Sequence, residues 1–306
     1  MARAKQPDRS VTALNEALWR HDDAAVARLV PVIDPNTVDR WQRAPLAMAA
    51  QYAGVAAVRL LLARGARPDA DRTLLTPLAY AARRGAADIL DALRDAGATV
   101  SIATSIYLGD RSAVSRALVS VAPTTLDEEG TPLLLHAAES LHADMVTLLL
   151  DAGVDIASAD RFGETALHRV ADLRRTDGEC VPRVAALLID RGAPVDARNR
   201  DDVTPLHQAV RARSLAVVEL LLARGADANA RDKRGSTPLH RAVSSTGAGG
   251  TAGVDAAPFV AALLAHGANP DQRDAGDRSP RAAAKRGVFG AAPGKRARAA
   301  KPRRRS

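Results

Sequence analysis

The sequence predicts an all-α solenoid, in which helix–turn–helix units stack side by side and are joined by short β-hairpin loops. Three observations predict it. The same elements recur in the same order: TPLHQAV at 204–210 is followed by LLLARGADANA at 220–230, and related blocks begin at Ala44, Thr76, Gly130, Thr165 and Thr237. An acidic or amide residue stands just before each first helix, at Asp39, Asp71, Asp127, Asp160, Asn199, Asp232 and Asp274, with separations of 32, 56, 33, 39, 33 and 42 residues. The composition fits, with 66 alanines in 306 residues and only 3% aromatics. Ala and Leu suit thin, closely packed helices, whereas strands favour β-branched and aromatic side chains.

In chain order, residues 1–10 are polar and are expected to be disordered. LNEALWRHDDAAVARLV, from Leu14, lies within an expected N-terminal helical cap at 11–38. Repeats follow at 39–70, 71–98, 99–126, 127–159, 160–198, 199–231 and 232–273. The 56-residue gap hides a degenerate unit, SIATSIYLGDRSAVSRALV, which has lost its TPLH. The 39- and 42-residue separations imply insertions near 172–182 and 244–257, the second containing TGAGGTAG. In the 127–159 repeat His136 is displaced from the expected place. A C-terminal half-repeat at 274–289 carries Arg281 where an apolar residue is usual, as a polar terminal cap requires. Residues 290–306 form a basic tail expected to be disordered.

Each repeat element has a physical reading. Thr204 can cap a first helix with its hydroxyl, and Pro205 suits the first helical position, where no N–H is needed. His207 lies within reach of neighbouring backbone. Leu206, Ala209 and Val210 face a second helix, whose apolar stripe is Val217, Val218, Leu220 and Leu221. Gly225 ends that helix in the left-handed conformation. No single unit can bury its own apolar faces, so the units must stack.

The recurring T-P-L-H block with an approximately 33-residue period resembles the ankyrin repeat, over six segments spanning roughly 39–271. The resemblance implies a non-enzymatic binding module that works through its hairpin tips and concave groove, with no cofactor.

Charge is unevenly placed. Residues 278–306 hold eleven Lys or Arg and no acid, whereas the first 277 residues carry 32 basic and 35 acidic groups, a net of −3. The overall +8 therefore belongs to the tail. Cys180 is the single cysteine, which excludes an intrachain disulfide and any multi-cysteine metal site. It reads as an ordinary exposed thiol. Apolar runs are too short to span a bilayer, and no secretory signal is visible, so the expectation is a monomeric intracellular, cytoplasmic protein, or a nuclear one in a eukaryotic cell. No catalytic motif is recognisable, and His168, His207 and His240, one per repeat, cannot converge on a metal.

The candidate binding residues form two rows. Arg40, Arg72, Arg161, Arg200 and Lys233 each follow an acidic or amide marker at a tip, with Trp41 and Phe162 next to two of them. The inner helices supply Tyr52, Tyr80, Arg83, Arg84, Arg169, Arg211 and Arg241 to the groove. Both rows fit a protein partner with an acidic surface, and Arg and aromatic residues dominate interface hot spots. The alternative is a nuclear or nucleic-acid-associated protein. Its tail residues Lys295, Arg296, Arg298, Lys301, Arg303, Arg304 and Arg305 would act as a localisation signal or contact phosphates. A third reading makes the tail merely solubilising. As an import signal, residues 285–306 fused to a cytosolic reporter should carry it into eukaryotic nuclei. Replacing Lys295, Arg296, Arg303, Arg304 and Arg305 by Ala should leave the reporter evenly distributed.

Overall fold

A computed structural model describes residues 9–41, 43–69, 76–120, 131–174, 179–244 and 256–284. They fall into two compact units, the first drawing on 1–170 and 190–193, the second on 171–189 and 194–306.

The first unit is built from helix pairs. These are α1 Arg9–Trp19 with α2 Asp23–Leu29, α3 Pro45–Tyr52 with α4 Val55–Ala63, α5 Pro77–Arg84 with α6 Ala87–Asp95, α7 Ile102–Tyr107 with α8 Arg111–Ser120, and α9 Leu133–Ser140 with α10 Ala143–Asp151. A short α11, Ala166–Ala171, follows. First helices stack in the order α1, α3, α5, α7, α9, and second helices form a parallel layer in which α4 touches α2 and α6, and α8 touches α10. The second unit holds α12 Cys180–Asp190, α13 Pro205–Ala212 with α14 Leu215–Ala223, α15 Pro238–Val243 with α16 Ala257–Ala265, and a single turn, α17 Pro280–Ala283. There α13, α15 and α17 stack, and α14 stacks on α16.

Some details differ from the sequence expectation. Helix α1 already begins at Arg9, and α12 begins at Cys180, inside the stretch assigned to the first insertion. The degenerate segment supplies α7 and α8, with Ser101 capping α7 through the Thr104 N–H at 3.1 Å. Among the described residues the hairpin loops form no β-strand; Ala159 and Thr165 make an isolated antiparallel bridge. Hydrogen bonding inside each loop replaces a strand ladder. The 245–255 stretch, containing TGAGGTAG, and the basic tail lie outside the described residues.

The core repeats as the sequence does. Leu46, Leu78, Leu134, Leu167, Leu206 and Leu239 from the first helices are all buried, as are Leu61, Leu93, Leu149, Leu188, Leu221 and Leu263 from the second. Alanines 49, 81, 137 and 209 are fully enclosed, so neighbouring helices approach closely. At the end of α14, the Ala226 N–H reaches the Leu221 carbonyl at 3.0 Å and the Gly225 N–H reaches Leu222 at 3.0 Å. This double closure needs φ of +87° at Gly225. The matching bonds Ala66 to Leu61, Ala98 to Leu93, Val154 to Leu149 and Ala268 to Leu263 end α4, α6, α10 and α16 alike.

First helices start with a reciprocal device. The Thr204 side chain takes the His207 backbone N–H, while His207 Nδ1 accepts the Thr204 N–H at 3.2 Å. Thr237 with His240 repeats it, and His168 Nδ1 accepts the Thr165 N–H at 3.2 Å. With Nδ1 an acceptor, Nε2 carries the proton. It donates to the next repeat, from His207 to the Ser236 carbonyl at 3.1 Å and from His240 to the Arg278 carbonyl at 2.9 Å. One imidazole thus caps its own helix and tethers its neighbour. Displaced His136 does not use Nδ1 to cap its own helix. Pro132 occupies the cap of α9, and His136 Nδ1 instead meets the Tyr107 hydroxyl at 3.0 Å.

Two predictions follow from this construction. Leu221→Ala should destabilise the second unit by about 2–5 kcal/mol in denaturant titrations. The second concerns acid. Burial, helped by the charge of Arg241, lowers the His207 pKa from 6.5 to about 4, although the Ser236 carbonyl and Asp232 pull it up. The unfolded chain takes up this proton near 6.5 and the folded chain does not until about 4. Stability should therefore be undiminished by this group above 6.5 and fall as pH drops through that window. The fall should be about 2 kcal/mol between pH 7 and pH 5, read from urea midpoints. His207→Asn should be less stable at pH 7 and show a smaller drop.

Candidate partner-binding surface

The hairpin tips are organised by the acidic or amide residue that marks each repeat. Asp39 Oδ1 accepts the N–H groups of Trp41 and Arg43, both at 2.9 Å. Asp160 Oδ1 accepts those of Phe162 at 2.8 Å and Glu164 at 2.9 Å. Asn199, Asp232 and Asp274 do the same for the residues two and four positions on. The position three residues on is left-handed in four of these loops, at Gly163, Asp202, Gly235 and Asp277, which are residue types that tolerate it.

The second carboxylate oxygen takes an arginine. Arg43 reaches Asp39, with Nη2 at 2.7 Å, and Arg278 reaches Asp274 at 3.1 Å, both from four residues on. Arg169 reaches Asp160 at 2.6 Å and Arg241 reaches Asp232 at 3.0 Å, both from nine residues on. Where the marker is the neutral Asn199, the residue nine positions on is the neutral Gln208. Burial pushes the Asp39 carboxyl up, but hydrogen bonds from Arg43, Asn15 and the Trp41 N–H outweigh it and hold the pKa below the usual value. For Arg169, burial works against the charge, and Asp160, Glu164 and Glu139 more than restore it, so its pKa is raised.

At two tips this scaffold presents an exposed aromatic ring. Trp41 is 49% exposed and Phe162 52%. The Arg40 guanidinium lies 3.8 Å from the Trp41 ring centre, Arg43 lies 4.5 Å from it, and Arg161 lies 4.9 Å from that of Phe162. Arg200 and Lys233 are exposed at their own tips, the Lys233 N–H donating to the Asp201 carbonyl at 3.0 Å. Arg72, and the markers Asp71 and Asp127, lie outside the described residues. Trp19, 57% exposed at the end of α1, was not singled out by its spacing.

The groove row needs correction. Tyr80 is 6% exposed and belongs to the core. Helical side chains lean towards the helix N-terminus, so the residue at this position, just after that of the TPLH histidine, points back towards the start of its helix instead of into the groove. Met48 and Gln208 are buried at that position for the same reason, and Arg169 and Arg241 there hold their own tip carboxylates. Tyr52 is half-buried. Arg83, Arg84 and Arg211 are exposed but engaged. Arg83 pairs with Glu139, Arg84 donates to the Ala50 and Ala53 carbonyls at 2.9 Å, and Arg211 grips Asp172 with Nε at 3.1 Å and Nη2 at 2.7 Å. Glu139 also accepts the Tyr107 hydroxyl at 2.9 Å. Burial and the Glu139 charge raise the Tyr107 pKa well above its ordinary value. The groove arginines therefore do not form an unopposed positive row.

Stacked helix pairs with carboxylate-organised tips define a helical repeat protein of the kind that presents an extended contact surface. Models of ankyrin repeats match residues 14–104 (three copies), 188–242 (many copies) and 234–275 (a single repeat). The chain belongs to the ankyrin repeat family, whose repeats generally mediate protein–protein interaction. It is 31% identical over 150 residues to neurogenic locus notch homolog protein 1 of Xenopus tropicalis, and 32% identical over 150 residues to the human homologue. Each match covers 45% of this chain and 6% of the relative. An ankyrin repeat protein of fowlpox virus is 31% identical over 117 residues, covering 36% of this chain and 21% of the viral protein. The chain thus spans a small fraction of the length of these relatives. Among the described residues no helix is long and apolar enough to cross a membrane.

Proposed function

We propose that the chain is a non-enzymatic module that captures a protein partner through its hairpin tips. The observation that carries this reading is the repeated tip construction of the first unit. At Trp41 and at Phe162, an aromatic side chain is half-exposed, its own N–H is pinned by the marker aspartate, and a guanidinium lies over its ring. Exposing a ring to water is unfavourable, and holding its backbone fixed removes part of the ordering cost that binding otherwise meets. Such pre-organised aromatics are the side chains that dominate interface energetics. Arg200 and Lys233 extend the same chemistry to the tips of the second unit. The groove arginines contribute less, because they already hold carboxylates or backbone carbonyls within the chain.

Neither tip ring belongs to the core, so Trp41→Ala with Phe162→Ala should shift Tm little, in keeping with changes of about 0.5 kcal/mol or less at surface sites. The same pair should weaken capture of a partner identified by pull-down at least about tenfold in Kd. Normal binding by the double variant would overturn the reading. Retention on DNA or RNA that falls with salt and vanishes on deleting 290–306 would favour the nucleic-acid alternative.

A further inference from the structure

In the first unit Arg40 and Arg161 share one setting, each with its guanidinium over the aromatic ring next to it in sequence. The acids beside them are already engaged. Asp39 is saturated by two backbone N–H groups, Arg43 and Asn15, and Asp160 by two backbone N–H groups and Arg169, which also reaches Glu164 at 3.3 Å. Among the described residues, neither Arg40 nor Arg161 forms an ion pair or a side-chain hydrogen bond. Each is exposed and rests on the ring next to it in sequence. A guanidinium stacked on a ring keeps its in-plane N–H donors available, in the forked arrangement that matches the two oxygens of a carboxylate. Stacking also removes much of the rotational freedom that a free arginine would lose on binding. The two sites share one construction: an engaged aspartate, an uncommitted arginine and an exposed ring in consecutive order.

We propose that the Arg40–Trp41 and Arg161–Phe162 pairs are carboxylate-reading anchors, each taking an Asp or Glu side chain of a partner peptide on its guanidinium and an adjacent apolar side chain of that peptide against its ring. This rests on the tips being the binding surface and adds which side chains they read. The occupant is an acidic segment in which carboxylates alternate with apolar residues. Recognition is non-covalent and weakens with salt, because both charges are exposed before contact.

The test uses the full chain carrying Trp19→Phe, which leaves Trp41 as the one tryptophan reporter. Its emission is titrated with an acetylated, amidated peptide Glu-Leu-Glu-Leu-Glu and with the matched Gln-Leu-Gln-Leu-Gln. The expected result is saturable change with the glutamate peptide and at least about tenfold weaker binding of the glutamine peptide, the order expected for losing a charged hydrogen-bond partner. Arg40→Gln should erase that preference, and Arg40→Lys should restore only part of it, because an ammonium lacks the fork. Unchanged circular dichroism shows that these variants fold. Equal binding of the two peptides, no emission change with either, or a preference that survives Arg40→Gln would each overturn the inference. Equal binding of both peptides that is lost in the tip double variant, followed there by partner capture, would leave the binding-module reading standing as a purely apolar anchor.

Discussion

The contact on which the rest of the surface depends is the short bond between each marker carboxylate or amide and two backbone N–H groups of its own loop. A hairpin tip without strand pairing has to satisfy its amide donors in some other way. One side-chain oxygen does so at five tips, which lets the loops close in about five residues. The geometry that follows is fixed from there. At the Asp160, Asn199, Asp232 and Asp274 tips the residue after the marker is exposed, the next has its N–H already bound, and the third adopts a left-handed backbone. The second oxygen is left over, and it determines where an arginine of the same repeat will go.

That leftover oxygen explains which parts of the molecule were legible in the sequence. Period and hydrophobic pattern located most helices, buried Leu206 and Leu221, and the glycine that ends α14, because those features recur at fixed spacing, although Leu220 of the expected stripe is half-buried and Leu222 is buried in its stead. The rings of Trp41 and Phe162 were also legible, since no core position exists at a tip. The groove was not. Spacing places Tyr80, Arg169 and Arg241 at one equivalent position but does not say that a helical side chain there leans back towards the helix start. Nor does it say that Arg83 finds Glu139 56 residues away, through a repeat that had lost its signature. A usable signal was present all the same: an arginine stands four or nine residues after every described aspartate marker, and a glutamine stands nine after the lone asparagine.

The histidines show the same economy in the other direction. In a repeat array each unit contacts only its neighbours, so cohesion has to be built at every junction. The neutral imidazole of His207 or His240 caps a helix with one nitrogen and reaches the following repeat with the other. Where His136 has slipped by one position, Tyr107 at the end of α7 meets it edge-on at 5.6 Å between ring centres and by its hydroxyl at 3.0 Å.

The neutral Asn199 makes its tip respond to acid differently from the aspartate-marked tips. Once acid protonates Asp39 and Asp274, whose carboxyls their hydrogen bonds hold below the usual pKa, those tips lose both the charged acceptor for the loop amides and the arginine clamp, whereas the Asn199 tip keeps a neutral amide oxygen. The hairpins of one chain should then come apart in sequence rather than together. The 199–203 loop keeps its Asn199 hydrogen bonds in acid, and the part of the same repeat that acid weakens is the His207 cap that follows the loop.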